Sequence, residues 1–241
     1  MSLHDNTIVV VDVLRASTTI ATGLCNGARE FIPTTTVESA VKISGNLFGG
    51  VVLLGGERNG RMIEGFHLGN SPVEYSGEKV KGKTIVFSST NGSMAMVKAR
   101  YAREMFVCGF VNISVVYDCI KELGADFTVL CAGKNGMFSI EDSVCAGMLV
   151  HKLVSDSSFD VELSDGALAA LTLYKSFGKN IQKMIKGSEH GKYLAEIGFG
   201  EDLKVCASVD TVPVVPQLVG NVVKLKRDAE SNEVAKVPVS S

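Results

Sequence analysis

An aspartate and an arginine stand three residues apart, directly after a run that predicts a buried strand. Thr7–Val11 is β-branched throughout and ends at Asp12, and Arg15 follows in a predicted strand-to-helix loop. Ligands of open α/β sheets bind beyond the carboxyl ends of strands. Together with the hydroxyls of Ser17 and Thr18 and a helix N-terminus, these residues suit a divalent cation and an anion held together. The alternative is structural: Arg15 pairs with Asp12, and Ser17 only caps the helix.

A glycine-rich stretch follows a later predicted strand, Val51–Leu54, and carries a second acid and a second arginine. Glu57 and Arg58 come after two glycines, and Asn70 and Ser71 lie at its far end before a proline. Glycine lets a ligand approach the backbone closely, and long loops inside compact domains are usually functional or disordered. We therefore favour a functional loop here, with a surface loop carrying a solvated charge pair as the alternative.

Hydroxyl and amide side chains follow the predicted strand Thr84–Ser88, immediately before a predicted helix at Met94–Tyr101. Hydrogen bonds to a charged group contribute about 1.5–3 kcal/mol each, so three or four of them could hold a phosphate. The candidate anion ligands are Thr90, Asn91, Gly92 and Ser93. The alternative is an Asn or Ser helix cap without a ligand.

A fourth stretch joins the predicted strand Asp126–Cys131 to a helix that Ser139 caps. Asp142, in the first helical turn, is either a metal ligand or base, or it only interacts favourably with the helix dipole, as Glu141 would. Cys131 ends the strand before a glycine-rich loop, so a nucleophilic thiolate is conceivable. No histidine lies near it in sequence, and a buried structural cysteine is the alternative.

Strands that alternate with helices predict an α/β fold with a mainly parallel, or mixed, sheet covered on both sides. We expect one domain over residues 1–241, with a conceivable subdivision near 155–165 and a frayed tail at 228–241. Further helices are expected at Asp165–Phe177, Ile181–Ile185 and Gly191–Glu196. Strands are expected at Asp202–Ala207 and, at a sheet edge, Val222–Arg227.

Composition narrows the class of protein. The 241 residues carry a net charge of −2, without the basic field that nucleic-acid binding needs. The N-terminus is too short and polar for a signal peptide, and no apolar run is long enough to span a bilayer. The six cysteines form no CxxC pair, which favours reduced thiols in a cytoplasmic protein.

Four motifs, in this order, resemble the 2-phosphosulfolactate phosphatase family: Asp12–Thr19, then Gly56–Arg58 with Gly65–Pro72, then Ser89–Ser93, then Cys131–Gly133 with Glu141–Asp142. The resemblance covers Val9 to Val154 well and Asp202 to Pro216 more loosely. It implies a three-layer α/β/α fold. It also implies a Mg²⁺-dependent phosphatase that hydrolyses 2-phospho-3-sulfolactate to 3-sulfolactate and phosphate, a step of coenzyme M biosynthesis.

With this resemblance, we assign the candidate residues as a hypothesis. Asp12 and Glu57 hold Mg²⁺, and Asp142 is the third ligand or the base that orients water. Arg15 and Arg58 clamp phosphate or sulfonate, because guanidinium groups match both anions. The other candidate substrate-binding residues are Ser17, Thr18, Asn70, Ser71, Thr90, Asn91, Gly92, Ser93, Cys131 and Gly133. Asp12, Ser89, Cys131 or a water molecule could be the nucleophile.

Two other functions remain open at this point. One is a haloacid-dehalogenase-like phosphatase that acts on another small phosphorylated acid, but Leu14 stands where that family needs its second acid. The other is a non-catalytic anion-binding α/β domain, in which three acids without a metal would repel the anion. As partners we expect a small anionic phosphorylated substrate and a second copy of the chain in a dimer, and neither nucleic acid nor a membrane.

Overall fold

The computed structural model describes residues 3–47, 50–158 and 160–226. The tail expected at 228–241 lies outside the described residues. Within them, nine strands form one sheet in the order β4-β3-β5-β2-β9-β8-β6-β1-β7. The strands are β1 (Thr7–Val11), β2 (Glu30–Pro33), β3 (Val52–Arg58), β4 (Arg61–Met62), β5 (Thr84–Ser88), β6 (Glu104–Cys108), β7 (Phe127–Cys131), β8 (Pro216–Val219) and β9 (Val222–Leu225).

The sheet consists of two parallel halves joined by an antiparallel hairpin. β3, β5 and β2 are parallel to one another, as are β6, β1 and β7. The β8–β9 hairpin lies between the halves and pairs antiparallel with both. In the second half, Val11 of β1 is level with Cys108 and Cys131. The carboxyl ends of these three strands therefore meet at one edge, where the candidate loops after Val11 and Cys131 begin.

Helices cover both faces of the sheet. They are α1 (Ala16–Cys25), α2 (Val37–Asn46), α3 (Gly77–Val80), α4 (Gly92–Lys98), α5 (Ile113–Leu123), α6 (Ile140–Ser155), α7 (Asp165–Phe177), α8 (Ile181–Gly187), α9 (Glu189–Glu196) and α10 (Asp202–Cys206). None of those in the described residues is long and apolar enough to cross a membrane. All six cysteines are free thiols.

Alternate residues of β1 face opposite helical layers. Val10 packs in one buried cluster with Ile20 of α1 and Met96 of α4. Val11 packs on the other face, with Val116 of α5 and with α6, and α2 packs on β3 and β5. A strand that is apolar at every position is the pattern of a sheet buried on both sides. The three-layer α/β/α fold with a mainly parallel, mixed sheet is confirmed.

The expected subdivision near 155–165 stays a prediction. It falls in the connection between α6 and α7, two helices that pack closely against each other. At this crossing a Cβ on Gly147 would lie 2.0 Å from the carbonyl oxygen of Ala170, so only glycine permits the approach.

Two predicted strands were wrong in type or place. Asp202–Cys206 is a helix, because its buried residues Asp202, Leu203 and Cys206 recur at helical rather than alternating spacing. β9 is not an edge strand, since it lies between β2 and β8 in the middle of the sheet. Its sequence is short and carries a lysine, features that edge strands share.

The stretch Gly55–Arg58 was also placed wrongly, in a loop. It belongs to β3, which continues to Arg58 and turns into β4. Gly56 permits this course because its φ is +140° and a Cβ there would lie 2.0 Å from the carbonyl oxygen of Ser88. Glu57 and Arg58 thus lie on a paired strand.

Because β9 completes the centre of the sheet, we expect Val223→Ala to destabilise the protein. Val223 is fully buried, so losing two methyl groups should lower the free energy of unfolding by about 2 kcal/mol. Val219→Ala, in the same hairpin but 46% exposed, is the control and should change it by less than about 0.5 kcal/mol. Urea unfolding of both variants measures the difference, and equal effects would contradict a central position for β9.

Candidate active site

The loop between β1 and α1 places Asp12 at the carboxyl end of β1. The Asp12 backbone N–H donates to Ser17 Oγ at 2.9 Å, and the Ser17 N–H donates back to the Asp12 carbonyl at 2.9 Å. Thr18 Oγ1 donates to the Val13 carbonyl. Ser17 therefore does not cap α1, which has Arg15 at its N-cap without a capping side chain. From the first turn of α1, Ser17 and Thr18 hold the loop in shape.

A cavity of about 240 Å³ opens beside this loop. Each of the four stretches singled out in the sequence contributes to its wall, and so does α9. The lining residues are Asp12, Leu14, Arg15, Glu57, Asn59, Gly60, Asn70, Thr90, Asn91, Lys134, Asn135, His190, Tyr193 and Leu194. Six of the predicted site residues are thus brought together: Asp12, Arg15, Glu57, Asn70, Thr90 and Asn91.

Asp12 and Glu57 bring negative charge into this cavity. Burial raises the pKa of the Asp12 carboxyl to about 6; the positive charge of His190 opposes that rise, and the negative charge of Glu57 adds to it. Glu57 is oriented by two backbone donors, the Gly60 N–H at 2.9 Å and the Thr90 N–H at 2.7 Å. A buried carboxylate beside a second one favours a bound cation.

Asp142 lies close by but does not line the cavity. Its Oδ1 accepts from the Val13 N–H at 2.8 Å, and its Oδ2 accepts from the Gly133 N–H at 3.0 Å. Burial, followed by the negative charges of Asp12 and Glu141, raises the pKa of the Asp142 carboxyl well above its usual range. Asp142 and Gly133 therefore join the β1–α1 loop to the β7–α6 loop.

Arg15 lines the cavity, and its guanidinium group is held by an ion pair and a hydrogen bond within the protein. Nη1 lies 2.6 Å from Asp202 Oδ2, and Nη2 donates to the Gly60 carbonyl at 2.6 Å. The group also stacks on Phe199, 4.2 Å from the ring centroid. Ser71, expected to bind substrate, instead donates to Asp202 Oδ1 at 2.6 Å. Arg15 thus pairs with Asp202 rather than with Asp12.

Arg58 does not line the cavity. Its Nη1 donates to the carbonyls of Glu57 and Ser88, at 2.7 and 3.2 Å. Its Nη2 donates to the Thr35 carbonyl at 3.1 Å and to Ser88 Oγ at 2.9 Å. The structure therefore places Arg58 as a tie between β3 and β5 and not as an anion clamp.

The β5–α4 loop is held by its own hydroxyls. The Ser93 N–H donates to Ser89 Oγ at 2.9 Å, and the Ser89 N–H donates to Ser93 Oγ at 2.8 Å. A Cβ on Gly92 would lie 2.5 Å from Asp12 Oδ2, so the glycine leaves room for that carboxylate. Ser93 and Gly92 thus support the site, whereas Thr90 and Asn91 line it.

Five polar lining residues were not predicted from the sequence: Asn59, Lys134, Asn135, His190 and Tyr193. Lys134 and Asn135 belong to the glycine-rich loop after Cys131, and this position at a strand end could have marked them as site residues. His190 and Tyr193 lie on α9, where no motif marked them. His67, the histidine inside a candidate loop, accepts a hydrogen bond from the Leu54 N–H at 3.0 Å and has a structural role.

Comparison with known proteins decides the family. The model of the 2-phosphosulpholactate phosphatase family matches residues 1–221. The chain belongs to the 2-phosphosulfolactate phosphatase family.

Relatives of this family share most of the chain. A protein of Caldanaerobacter subterraneus subsp. tengcongensis is 42% identical over 226 residues, which cover 94% of this chain and 93% of that protein. A protein of Thermotoga maritima is 42% identical over 222 residues, 91% of this chain and 92% of the other. A protein of Clostridium acetobutylicum is 38% identical over 215 residues, which cover 89% of this chain and 90% of that protein. Each carries the name "Probable 2-phosphosulfolactate phosphatase".

The Mg²⁺ that membership of this family implies can be tested against the residues. In the described part of the chain, no three His, Cys, Asp or Glu side chains converge on one metal position. Asp12 and Glu57 nevertheless line the cavity, and the buried Oδ1 of Asn70 beside them has no hydrogen-bond partner there. Mg²⁺ typically binds one or two carboxylates and keeps several waters. Two carboxylates and an amide oxygen fit it, whereas Asp142 does not fit as a third ligand.

The Cys131 thiol is a poor nucleophile. Burial, with the negative charge of Asp142, raises its pKa to about 12, although a hydrogen bond with Ser143 opposes the rise. It does not line the cavity either.

We expect iodoacetamide at pH 8 to alkylate the exposed Cys25 and to leave Cys131 unmodified in the folded protein. Only about one Cys131 thiol in ten thousand would be ionised at that pH. Mass spectrometry of tryptic peptides, with urea-unfolded protein as the control, measures this. Labelling of Cys131 as fast as Cys25 would contradict the buried thiol.

Removing one partner of the Arg15–Asp202 pair should be costly. Both side chains are at most 3% exposed, so Asp202→Ala leaves a buried guanidinium without its counter-charge and should lower the free energy of unfolding by about 3–5 kcal/mol. Glu201→Ala is the control next to it, because its side chain is 80% exposed and should contribute less than about 1 kcal/mol. Denaturant unfolding compares the two, and similar losses would show that the buried pair is unimportant.

Proposed function

We propose that this protein is a Mg²⁺-dependent phosphatase that hydrolyses 2-phosphosulfolactate to sulfolactate and phosphate. The observation that carries the proposal is the cavity that Asp12 and Glu57 line together with the cationic residues Arg15 and Lys134. Membership of the family supports the reaction, and the names of the relatives support the substrate. A small cleft with both signs of charge suits a phosphate monoester, whose hydrolysis depends on charge neutralisation and positioning.

The size and charge of the cavity support a small polyanionic substrate. Its volume of about 240 Å³ is below the range of roughly 300–1,000 Å³ that drug-sized ligands occupy. 2-Phosphosulfolactate carries a phosphate, a sulfonate and a carboxylate on three carbons. Lys134 can reach such an anion, because its partner Glu189, at 2.7 Å, is 88% exposed and the ion pair is therefore weak.

The residues of the chain divide the work of the reaction. Asp12, Glu57 and Asn70 would hold Mg²⁺, which when bound neutralises phosphate charge and lowers the pKa of a water molecule. Lys134 binds the anionic substrate, and the paired Arg15 adds positive charge to the wall. Asp142 acts as a positioning residue, since its two hydrogen bonds keep the loop of Asp12 in place.

The choice of nucleophile narrows to two candidates. Cys131 is protonated and lies outside the cavity wall, and Ser89 is 2% exposed and bonded to Ser93. This leaves Asp12 or a water molecule, and a carboxylate that binds Mg²⁺ favours attack by water.

We expect phosphate release from 2-phosphosulfolactate to require Mg²⁺ and to stop on addition of EDTA. Asp12→Asn should lower kcat/KM at least about 100-fold, because it removes a charge that holds the metal. Asp118→Asn, an exposed position on α5, is the matched control and should behave as wild type. A panel of phosphorylated 2-hydroxy acids, with and without a sulfonate, then measures how far the sulfonate is required.

Each contrary outcome has a definite meaning. Folded wild-type protein that binds Mg²⁺ but releases no phosphate from any ester would leave a non-catalytic anion-binding domain as the better account. Activity that survives EDTA, or that Asp12→Asn does not lower, would refute the metal site.

A further inference from the structure

The pair formed by His190 and Glu141 is a feature of the cavity that the proposed function does not yet use. His190 Nδ1 lies 3.5 Å from Glu141 Oε1, and the side chains are 15% and 2% exposed. Oε1 of Glu141 is buried and has no hydrogen-bond partner among the described residues. The imidazole is thus the group that faces this carboxylate oxygen.

Glu141 is ionised beside His190. Burial alone would raise the pKa of its carboxyl, but His190, the helix backbone and Ser139 together lower it. A carboxylate at Nδ1 fixes the orientation and the proton position of an imidazole. Since the two ring nitrogens point in different directions, the contact at Nδ1 leaves Nε2 available to the cavity that His190 lines.

The other ionisable groups of the wall are less suited to donate a proton. Lysine and arginine side chains hold their protons tightly at neutral pH, whereas histidine exchanges its proton there. Tyr193 already donates its hydroxyl hydrogen to the Asn59 carbonyl at 2.9 Å. Asp12 and Glu57 are placed to hold a cation.

From this geometry we propose that His190 is the proton donor to the leaving oxygen of the substrate, and that Glu141 is its positioning residue. The inference rests on the proposed phosphatase function and deepens it. In the step, the bond from phosphorus to the ester oxygen breaks while the bond from the water oxygen to phosphorus forms. The Nε2 proton passes to the leaving alkoxide, which becomes the alcohol. One proton of the attacking water returns the imidazole to its starting state, and the other stays on the released phosphate.

The nature of the leaving group tests this role. A secondary alkoxide, as in 2-phosphosulfolactate, leaves poorly without a proton, whereas 4-nitrophenolate leaves without one. We therefore expect His190→Asn to lower kcat/KM about 100-fold or more for 2-phosphosulfolactate and less than about 5-fold for 4-nitrophenyl phosphate. Glu141→Gln, which keeps the shape and removes the charge, should give a smaller loss with the same dependence on the leaving group.

His151→Asn is the matched control, because His151 is a partly buried histidine on α6 outside this cavity. It should leave both rates unchanged. Circular dichroism and thermal unfolding confirm that each variant is folded. Equal losses on the two esters in His190→Asn would reveal a merely structural role and overturn the inference, as would no loss on either. Wild-type protein inactive on both esters would instead overturn the proposed function, and the inference with it.

A second measurement does not depend on turnover. In protein labelled with ¹⁵N-histidine and loaded with Mg²⁺, inorganic phosphate should shift the Nε2 resonance of His190 and leave that of His151 unchanged. Activity on 2-phosphosulfolactate combined with an unshifted His190 signal at saturating phosphate would overturn the assignment.

Discussion

A single buried ion pair connects the first loop of the chain to a helix near its end. Arg15 and Asp202 are 187 residues apart in sequence and almost completely withdrawn from water. A buried charge is tolerated only when its hydrogen-bonding positions are occupied, and here Gly60, Ser71 and the face of Phe199 help to satisfy both partners. The pair thereby holds the β3–β4 turn, the segment of Ser71 and α10 around the β1–α1 loop.

Asp12, Glu57 and Asp142 have similar side chains, but their surroundings give them different roles. Two N–H groups occupy both oxygens of Asp142 and turn it into a brace between loops. Glu57 also accepts from two N–H groups, yet it lies on the cavity wall, where its remaining lone pairs are accessible. Asp12 lies against Gly92, whose missing side chain leaves the space that the carboxylate needs.

The sequence predicted most elements because their patterns are strong. β5 and α7 have the predicted bounds. β5 is a run of five buried residues, and Ser164 caps α7, so the ends of both elements are well defined. The helix Asp202–Cys206 was predicted as a strand, because only the structure shows which of its five residues are buried and hence their helical spacing. The sequence predicted part of the site, because polar motifs that follow predicted strands mark the loops that line the cavity. His190 could not be found, since only the packing of α9 brings it beside Glu141.

The position of the β8–β9 hairpin has a consequence for the order in which the protein can be assembled. Strands β1 to β7 of both half-sheets have left the ribosome before the hairpin is synthesised. Until then, β2 and β6 lack the strands that join them, which pair through Phe31 with Val223 and through Phe106 with Gln217. Open strand edges invite pairing with other chains. A nascent chain that stops before Pro216 would therefore expose two unpaired strand edges, those of β2 and β6. Protection of these edges from aggregation depends on completing translation of the hairpin.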